Sequence, residues 1–232
     1  MKKLGLIGGM GPESTLSYYH GINYGYQSRN PQGSFPPLVL ESVYIFEMLS
    51  FCRSKDYDGL TAFLLRAIQN TAAAGADFAA LAANTPHIVY DRLQALSPLP
   101  LLSIVETTYR EARLKGMGKL GLLGTAFTME EDFFKKKFEE NGISVAVPGP
   151  AERFSINSKI INELEFGVVK ESTREEFLGI IRRMMEEDRV EGVILGCTEL
   201  PLLFQGTPLP LPCLDTMELH ISGIVDMILE QY

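Results

Sequence analysis

Two short stretches of this chain recur at nearly one spacing, and that repeat limits the fold more than any other feature. Ala76-Asp-Phe-Ala-Ala-Leu-Ala-Ala-Asn-Thr-Pro86 has the form of Val190-Glu-Gly-Val-Ile-Leu-Gly-Cys-Thr-Glu-Leu200, at an offset of 114 residues. Each opens with an apolar and an acidic residue, runs apolar, passes a small residue and ends in a polar pair. Leu4-Gly-Leu-Ile-Gly8 is echoed by Leu120-Gly-Leu-Leu-Gly124 at an offset of 116. Short apolar runs bounded by glycine and interleaved with helical stretches read as buried strands of a parallel sheet, so two matches at one spacing indicate a duplicated α/β unit. The expected fold class is therefore α/β: two pseudo-symmetric lobes, each a parallel sheet flanked by helices. Residues 1–100 with 211–232 are expected to form the N-terminal lobe, and 101–210 the C-terminal lobe.

Several function classes are excluded early. Lys plus Arg number 21 against 29 Asp plus Glu, for a net charge of −8, and such a chain has no basic stripe with which to neutralise nucleic-acid phosphates. Three cysteines without paired spacing argue against a disulfide framework or a zinc site and point to a reducing cytoplasm. The opening apolar run breaks at glycines too soon for a signal peptide. No stretch approaches the roughly 20 apolar residues of a membrane span.

In chain order, Lys3–Gly8 reads as a strand, and Gly8-Gly-Met-Gly-Pro-Glu-Ser-Thr15 turns it into a helix from about Ser14 to Gln27. A helix N-terminus there would aim backbone N–H groups at an anion, although the glycines miss the dinucleotide spacing and serve a tight turn equally well. A loop rich in turn formers, Asn30–Pro37, precedes a strand over Leu38–Tyr44. Ile45–Asp58 is poorly patterned and reads as an irregular flap carrying Cys52 and Arg53, with Cys52 a packing residue and Arg53 a surface group. Helices are expected over Gly59–Ala74, from Pro86 to about Gln94, over Glu106–Lys115, Met129–Asn141 and Asn157–Phe166, and over Ser172–Asp188 with Ile180, Ile181, Met184 and Met185 inward. Leu101–Val105 reads as a strand crossing into the second lobe, Ile143–Val147 as another, and Pro208–Pro212 as the lead into a returning strand. A helix from Asp215 to Tyr232 should pack on the first lobe.

The chemistry concentrates at Gly192-Val-Ile-Leu-Gly-Cys-Thr-Glu-Leu-Pro201. An apolar run stopping at Gly196 presents Cys197 just beyond the carboxyl end of a strand, where open α/β sheets bind ligands. A thiol there serves as nucleophile or proton carrier; the plainer alternative is one more small buried hydrophobe. Thr125 and Thr128 supply hydroxyls at a helix start, as caps or as ligand donors.

Taken together, Gly8–Thr15, Asn84-Thr85 with His87, Gly121-Leu-Leu-Gly-Thr125 and Gly196-Cys-Thr-Glu199 resemble the aspartate/glutamate racemase family, in the family's order and over nearly the whole chain. The resemblance implies an active site in the cleft between the lobes, no cofactor, inversion at the α-carbon of an acidic amino acid or related dicarboxylate, and a homodimer. In the family pattern two cysteines flank the substrate, one removing the α-proton and the other returning one. Here the position before Asn84 is Ala83, which can do neither.

Three readings follow. Cys197 works one face while a hydroxyl, water or other group, Thr85 foremost, works the other; or Ala83 is an introduced substitution; or the chemistry is that of a single-cysteine decarboxylase of a malonate-type substrate. A catalytically impaired carboxylate-binding relative is a further alternative. The expected catalytic residues are Cys197 and Thr85. The expected substrate contacts are Met10, Ala83, Asn84, Thr85, Thr125, Thr128, Thr198 and Glu199, with Glu199 tuning a neighbour or holding the substrate ammonium rather than acting as base. His87 either orients this shell or is a structural helix-start residue. Only Arg53 and Lys170 suggest themselves for gripping a side-chain carboxylate, and neither matches the pattern convincingly.

Overall fold

The computed structural model describes residues 1–30 and 35–230. Half of the expected loop over Asn30–Pro37, residues 31–34, and the end of the expected C-terminal helix at 231–232 lie outside the described residues. The chain divides into one unit of Met1–Ile104 with Met217–Tyr232 and a second of Val105–Thr216. Residues 101–104 and 211–216 therefore fall on the other side of the expected boundaries.

The first unit runs β1 (Leu4–Gly8), α1 (Pro12–Arg29), β2 (Leu38–Ser42), α2 (Ile45–Ser54), α3 (Tyr57–Ala73) and β3 (Phe78–Leu81). A 3-10 turn over Thr85–Val89 leads to α4 (Tyr90–Leu96) and β4 (Leu101–Leu102). All pairings in this sheet are parallel, in the order β2-β1-β3-β4. The second unit runs from α5 (Ile104–Leu114) through β5 (Lys119–Leu123), α6 (Ala126–Glu130), α7 (Asp132–Glu139), β6 (Ser144–Ala146) and α8 (Pro150–Asn162). A 3-10 turn over Leu164–Phe166, α9 (Glu171–Glu186), β7 (Gly192–Leu195), α10 (Leu200–Leu203) and β8 (Cys213–Asp215) complete it, and α11 (Thr216–Ile228) follows. Its sheet order, β6-β5-β7-β8, repeats the first strand for strand. The repeat visible in the sequence is thus a repeat of topology, with β1 equivalent to β5 and β3 to β7.

Two strands depart from expectation in the same way. Leu101–Leu102 stays in the first sheet, beside β3, and Cys213–Asp215 stays in the second, beside β7. The reason is visible in the backbone. Ala79 N–H donates to Pro100 O and Val193 N–H donates to Pro212 O, each at 2.9 Å. Each proline thus leads a short edge strand and uses only the carbonyl it has. An edge lying beside the strand that precedes it is the short, right-handed solution for a parallel sheet.

Other differences are local. Ile45–Ser54 is helix rather than irregular flap, burying Met48 and Cys52 and ending on Lys55 in the left-handed region. The expected Met129–Asn141 helix starts earlier and is broken at Glu131, whose extended backbone separates α6 from α7. The turn expected at Pro148–Pro150 instead launches α8, with Pro150 in the first turn, where a missing N–H costs nothing. Met185 is only half-buried, while Ile180, Ile181 and Met184 face the core.

Each unit has its own core. In the first, Leu4, Leu6, Tyr18, Ile22, Phe78 and Ala80 pack with Ile224, Val225 and Ile228 of α11, so the C-terminal helix does return to this unit. Gly21 makes room for it: a Cβ there would stand 2.9 Å from Ile221 Cδ1. In the second, Leu123, Ile156, Ile160, Phe177, Ile181, Met184, Val193 and Leu195 close one face of the sheet. Glu163, at the end of α8, accepts from Thr173 Oγ1 at 2.6 Å and pairs with Lys159 and Lys170. The Thr173 hydrogen bond and these two ammonium groups outweigh burial and hold its carboxyl down at about 2.

Candidate active site

The residues singled out from the sequence lie just past the carboxyl ends of the central strands, in two sets that belong to different units. In the first unit, β1 and β3 pair up to Ile7 and Leu81. The chain then leaves β1 through Gly9, Met10 and Gly11, and leaves β3 through Ala82, Ala83 and Asn84.

Thr15 secures the first of these loops. Its hydroxyl accepts from Gly9 N–H at 2.9 Å and donates to Gly11 O at 2.8 Å. Gly9 has φ 79°, and a Cβ there would stand 2.4 Å from Val43 O. A left-handed alanine costs about 1–2 kcal/mol and a clash with fixed backbone about 1–3 kcal/mol more. Gly9→Ala is thus expected to lose roughly 2–5 kcal/mol of unfolding free energy. Gly75, at φ 81° with only Lys3 Nζ within reach at 3.9 Å, should show only the first cost when changed to Ala. Urea denaturation of the two variants checks this, and equal losses would contradict it.

Ala83 and Asn84 are buried and Thr85 is half-buried. His87 organises this segment from below. Ile104 N–H donates to His87 Nε2 at 3.2 Å, so the proton sits on Nδ1, which donates to Ala83 O at 2.9 Å. A second buried imidazole adjoins it, with His87 and His220 ring centroids 6.2 Å apart. His220 Nε2 donates to Leu102 O at 3.1 Å and Nδ1 accepts from the Tyr18 hydroxyl at 2.9 Å. Burial drives His87 down to about 4 and His220, further lowered by the charge of His87, to about 3. Both rings are neutral wherever the protein is folded at ordinary pH. His87 is therefore a positioning residue for Ala83. His220 was not singled out from the sequence, where the only signal is an imidazole inside an apolar C-terminal helix.

In the second unit, β5 and β7 pair up to Leu123 and Leu195, and Gly124 and Gly196 follow. Gly196 N–H donates to Leu123 O at 2.7 Å. Thr128 packs under both glycines, a Cβ on Gly196 standing 2.9 Å from Thr128 Cγ2 and one on Gly124 standing 3.0 Å from Thr128 Cβ. Expected as a substrate donor, Thr128 is 1% exposed and acts as the wedge beneath the loop, because its methyl group fills the space the glycines leave. Thr125, half-buried, caps α6 by accepting from Thr128 N–H at 3.4 Å. Asn157 Oδ1, from α8, accepts from Ala126 N–H at 2.8 Å. Nothing in the sequence singled out Asn157, since an asparagine in a polar helix carries no signal of its own.

Cys197 comes next, at the rim of the second core and 8% exposed. Its Sγ donates to Glu199 Oε2 at 2.9 Å, and the Thr198 hydroxyl donates to the same oxygen at 2.9 Å. Burial first, then the negative charge of Glu199, push the thiol well above its usual range. Glu165, not singled out from the sequence, adds its charge: its own carboxyl is raised by burial and by Glu199. The other cysteines lie elsewhere. Cys52 is fully buried against Met48, and burial raises it to about 11. Cys213 stands within β8.

Both candidate cations for a substrate carboxylate already have partners. Arg53 is an exposed group on α2 bonded to Leu49 O at 3.3 Å, and Lys170 is held by Glu163 at 3.0 Å. Among the described residues no group of three or more His, Cys, Asp or Glu side chains is arranged to hold a metal ion. Among them, too, no helix is long and apolar enough to cross a membrane.

The twice-repeated four-stranded parallel unit is the fold the resemblance implies, and the Asp/Glu/Hydantoin racemase profile matches residues 7–223. The chain belongs to that family. Its members include isomerases that racemise amino acids, and this chain is an enzyme of that class. It is 23% identical over 218 residues to the broad specificity amino-acid racemase RacX of Bacillus subtilis, covering 92% of each chain. A crystal structure of a candidate Asp/Glu racemase from Yersinia pestis is 35% identical, with a TM-score of 0.90, over 99% of this chain and 100% of that one. That of an aspartate racemase homologue from Pyrococcus horikoshii is 37% identical, with a TM-score of 0.86, over 98% and 99%.

Proposed function

We propose that this family member is a cofactor-independent racemase of aspartate, glutamate or a related amino acid, a cytoplasmic homodimer in which Cys197 moves the α-proton on one face of the substrate. The observation that carries the reading is the placement of Cys197: alone of the three cysteines, it stands past the carboxyl end of a central strand with a hydroxyl and a carboxylate beside it. Removing an α-proton leaves an electron pair that must spread onto the adjacent carboxylate and be held there by preorganised donors. The hydroxyls of Thr125 and Thr198, the side chains of Asn84 and Thr85, and nearby backbone N–H groups are the donors this reading assigns, with Thr128 supporting Thr125 from below. Since Ala83 has no acidic proton, the other face is served by a hydroxyl or water, with Thr85 the side chain assigned.

Incubating the protein with each enantiomer of aspartate and glutamate in deuterated water tests this directly. The expected result is α-deuterium incorporation together with inversion, one enantiomer exchanging faster than it inverts because the two faces carry different groups. Absence of both for every amino acid tried would sink the proposal. A protonated Cys197, with alanine rather than cysteine at the matching position 83, also suits a decarboxylase, in which Cys197 would protonate a planar enediolate after carbon dioxide leaves. Carbon dioxide release from a disubstituted malonate, without α-exchange of amino acids, would select that reading.

A further inference from the structure

The first unit holds an exposed aromatic pair beside its candidate loop, at the carboxyl end of β2. That strand ends at Ser42, paired with Gly8 of β1, and Val43 N–H then donates to Gly8 O at 3.0 Å. The backbone of Val43 lies against the start of the Gly9-Met10-Gly11 loop, a Cβ on Gly9 standing 2.7 Å from Val43 N. Tyr44 follows as the residue that caps α2, in extended conformation, its carbonyl accepting from Glu47 N–H at 3.1 Å and Met48 N–H at 3.4 Å. Its backbone is thereby fixed and its ring left outside. Phe46, in the first turn of α2, has its ring centroid 5.5 Å from that of Tyr44. Tyr44 is 65% exposed and Phe46 61%, while α2 anchors itself through the buried Met48 and Cys52.

Two adjoining rings kept in water are an apolar patch at the end of a parallel sheet where ligands bind. The face of an aromatic ring is its negative side, so the pair offers nothing to a carboxylate. A cation over an exposed ring gains little, whereas an apolar side chain laid on both rings removes water from all three. A separate observation in the second unit has the same sign. The charges bearing on Cys197 are those of Glu199 and Glu165, both negative, and a substrate with a second carboxylate would add a like charge near the thiol. We propose that Tyr44 and Phe46 receive the side chain of the substrate, and that the preferred amino acid carries an apolar one, such as that of leucine, methionine or phenylalanine, in place of a carboxylate. The proposal rests on the racemase reading above and names its substrate class; its test separates the two.

The experiment measures kcat/KM for α-deuteration of leucine, methionine, phenylalanine, lysine, arginine, aspartate and glutamate, each as both enantiomers. Wild type, the double variant Tyr44→Ala/Phe46→Ala and Tyr44→Phe are compared, with Phe154→Ala, which removes an exposed ring on α8, as control and circular dichroism as the check on folding. In the wild type an apolar amino acid is expected to exceed aspartate and glutamate on the order of 10-fold or more, the scale of an apolar contact. The double variant should lose that ratio, through KM rather than kcat, because the rings hold the side chain equally before and during proton transfer. Tyr44→Phe should retain the ratio. A wild type that favours aspartate, glutamate, lysine or arginine overturns the proposal and leaves the racemase reading standing. So does a ratio unchanged in the double variant; sedimentation velocity on the same proteins then shows whether the rings instead join two copies of the chain. A wild type that exchanges no amino acid overturns the racemase reading, and saturation-transfer NMR of leucine, methionine and aspartate then decides the side-chain preference. Signals from leucine or methionine that vanish in the double variant support it, and an equal or stronger signal from aspartate overturns it.

Discussion

Cys197→Ala is expected to lower α-proton exchange on the order of 100- to 10,000-fold, the range for loss of a positioned acid–base group. The argument is geometric. The sulfur lies two residues past β7, the most buried strand of the second sheet, and is held by the Glu199 carboxylate at 2.9 Å, whereas Cys213 sits at the start of the edge strand β8, paired with Val193. Alanine leaves the fold untouched, because the site is at the rim of the core and the glycines and Thr128 that shape the loop remain. Cys52→Ala and Cys213→Ala are the controls and should keep their exchange rates, whatever small stability change Cys52→Ala brings by emptying space beside Met48. Deuterium incorporation by mass spectrometry reads all three, and a Cys197→Ala protein exchanging at the wild-type rate would end the thiol mechanism. Under the proposed mechanism, the converse substitution probes the other face of the substrate. Ala83→Cys adds one sulfur atom at a position whose backbone His87 already fixes through the Ala83 carbonyl. It should raise inversion relative to one-sided exchange.

The second large effect is on stability in acid. His87 and His220 are neutral in the folded protein down to about 4 and about 3, while in the unfolded chain an imidazole takes a proton near 6.5. Between those values the unfolded state binds more protons, so stability rises with pH. Their contribution is complete above about pH 6.5 and drains away as pH falls toward 4. With two such groups the slope approaches about 2.7 kcal/mol per pH unit near pH 5, an order-of-magnitude figure. Glu163, held low by Thr173 and its two lysines, loses its own contribution only below the ordinary carboxylate range. Urea-unfolding free energies at several pH values between 7 and about 4.5 provide the check. His220→Gln should reduce the slope by about one proton, and a flat profile in the wild type would contradict the buried neutral pair.

The two half-repeats were legible because a strand buried on both faces needs an unbroken apolar run, and Leu4–Gly8, Phe78–Leu81, Lys119–Leu123 and Gly192–Leu195 are such runs with glycine or alanine at their ends. Cys197 was legible for the same reason: a polar group directly after a buried strand has few places to go. Edge strands were not. Leu101–Leu102 and Cys213–Asp215 are too short to carry a period, and only the backbone donors of Ala79 and Val193 reveal which sheet takes them. The helix at Ile45–Ser54 was missed because its apolar face, Met48 and Cys52, is a single narrow stripe.

What the sequence determined by itself was the duplication, the parallel sheets and the position of one thiol, all of which follow from local patterns of apolar and small residues. Which residues surround that thiol was decided by tertiary structure. Glu199 reaches the sulfur because a tight turn folds it back, Glu165 is brought near by the end of a helix a whole strand away, and Thr128 is wedged beneath Gly124 and Gly196. The pairing of His87 with His220 joins residues 133 positions apart in the chain. Such contacts are set by packing across elements, and neither composition nor spacing along the chain encodes them.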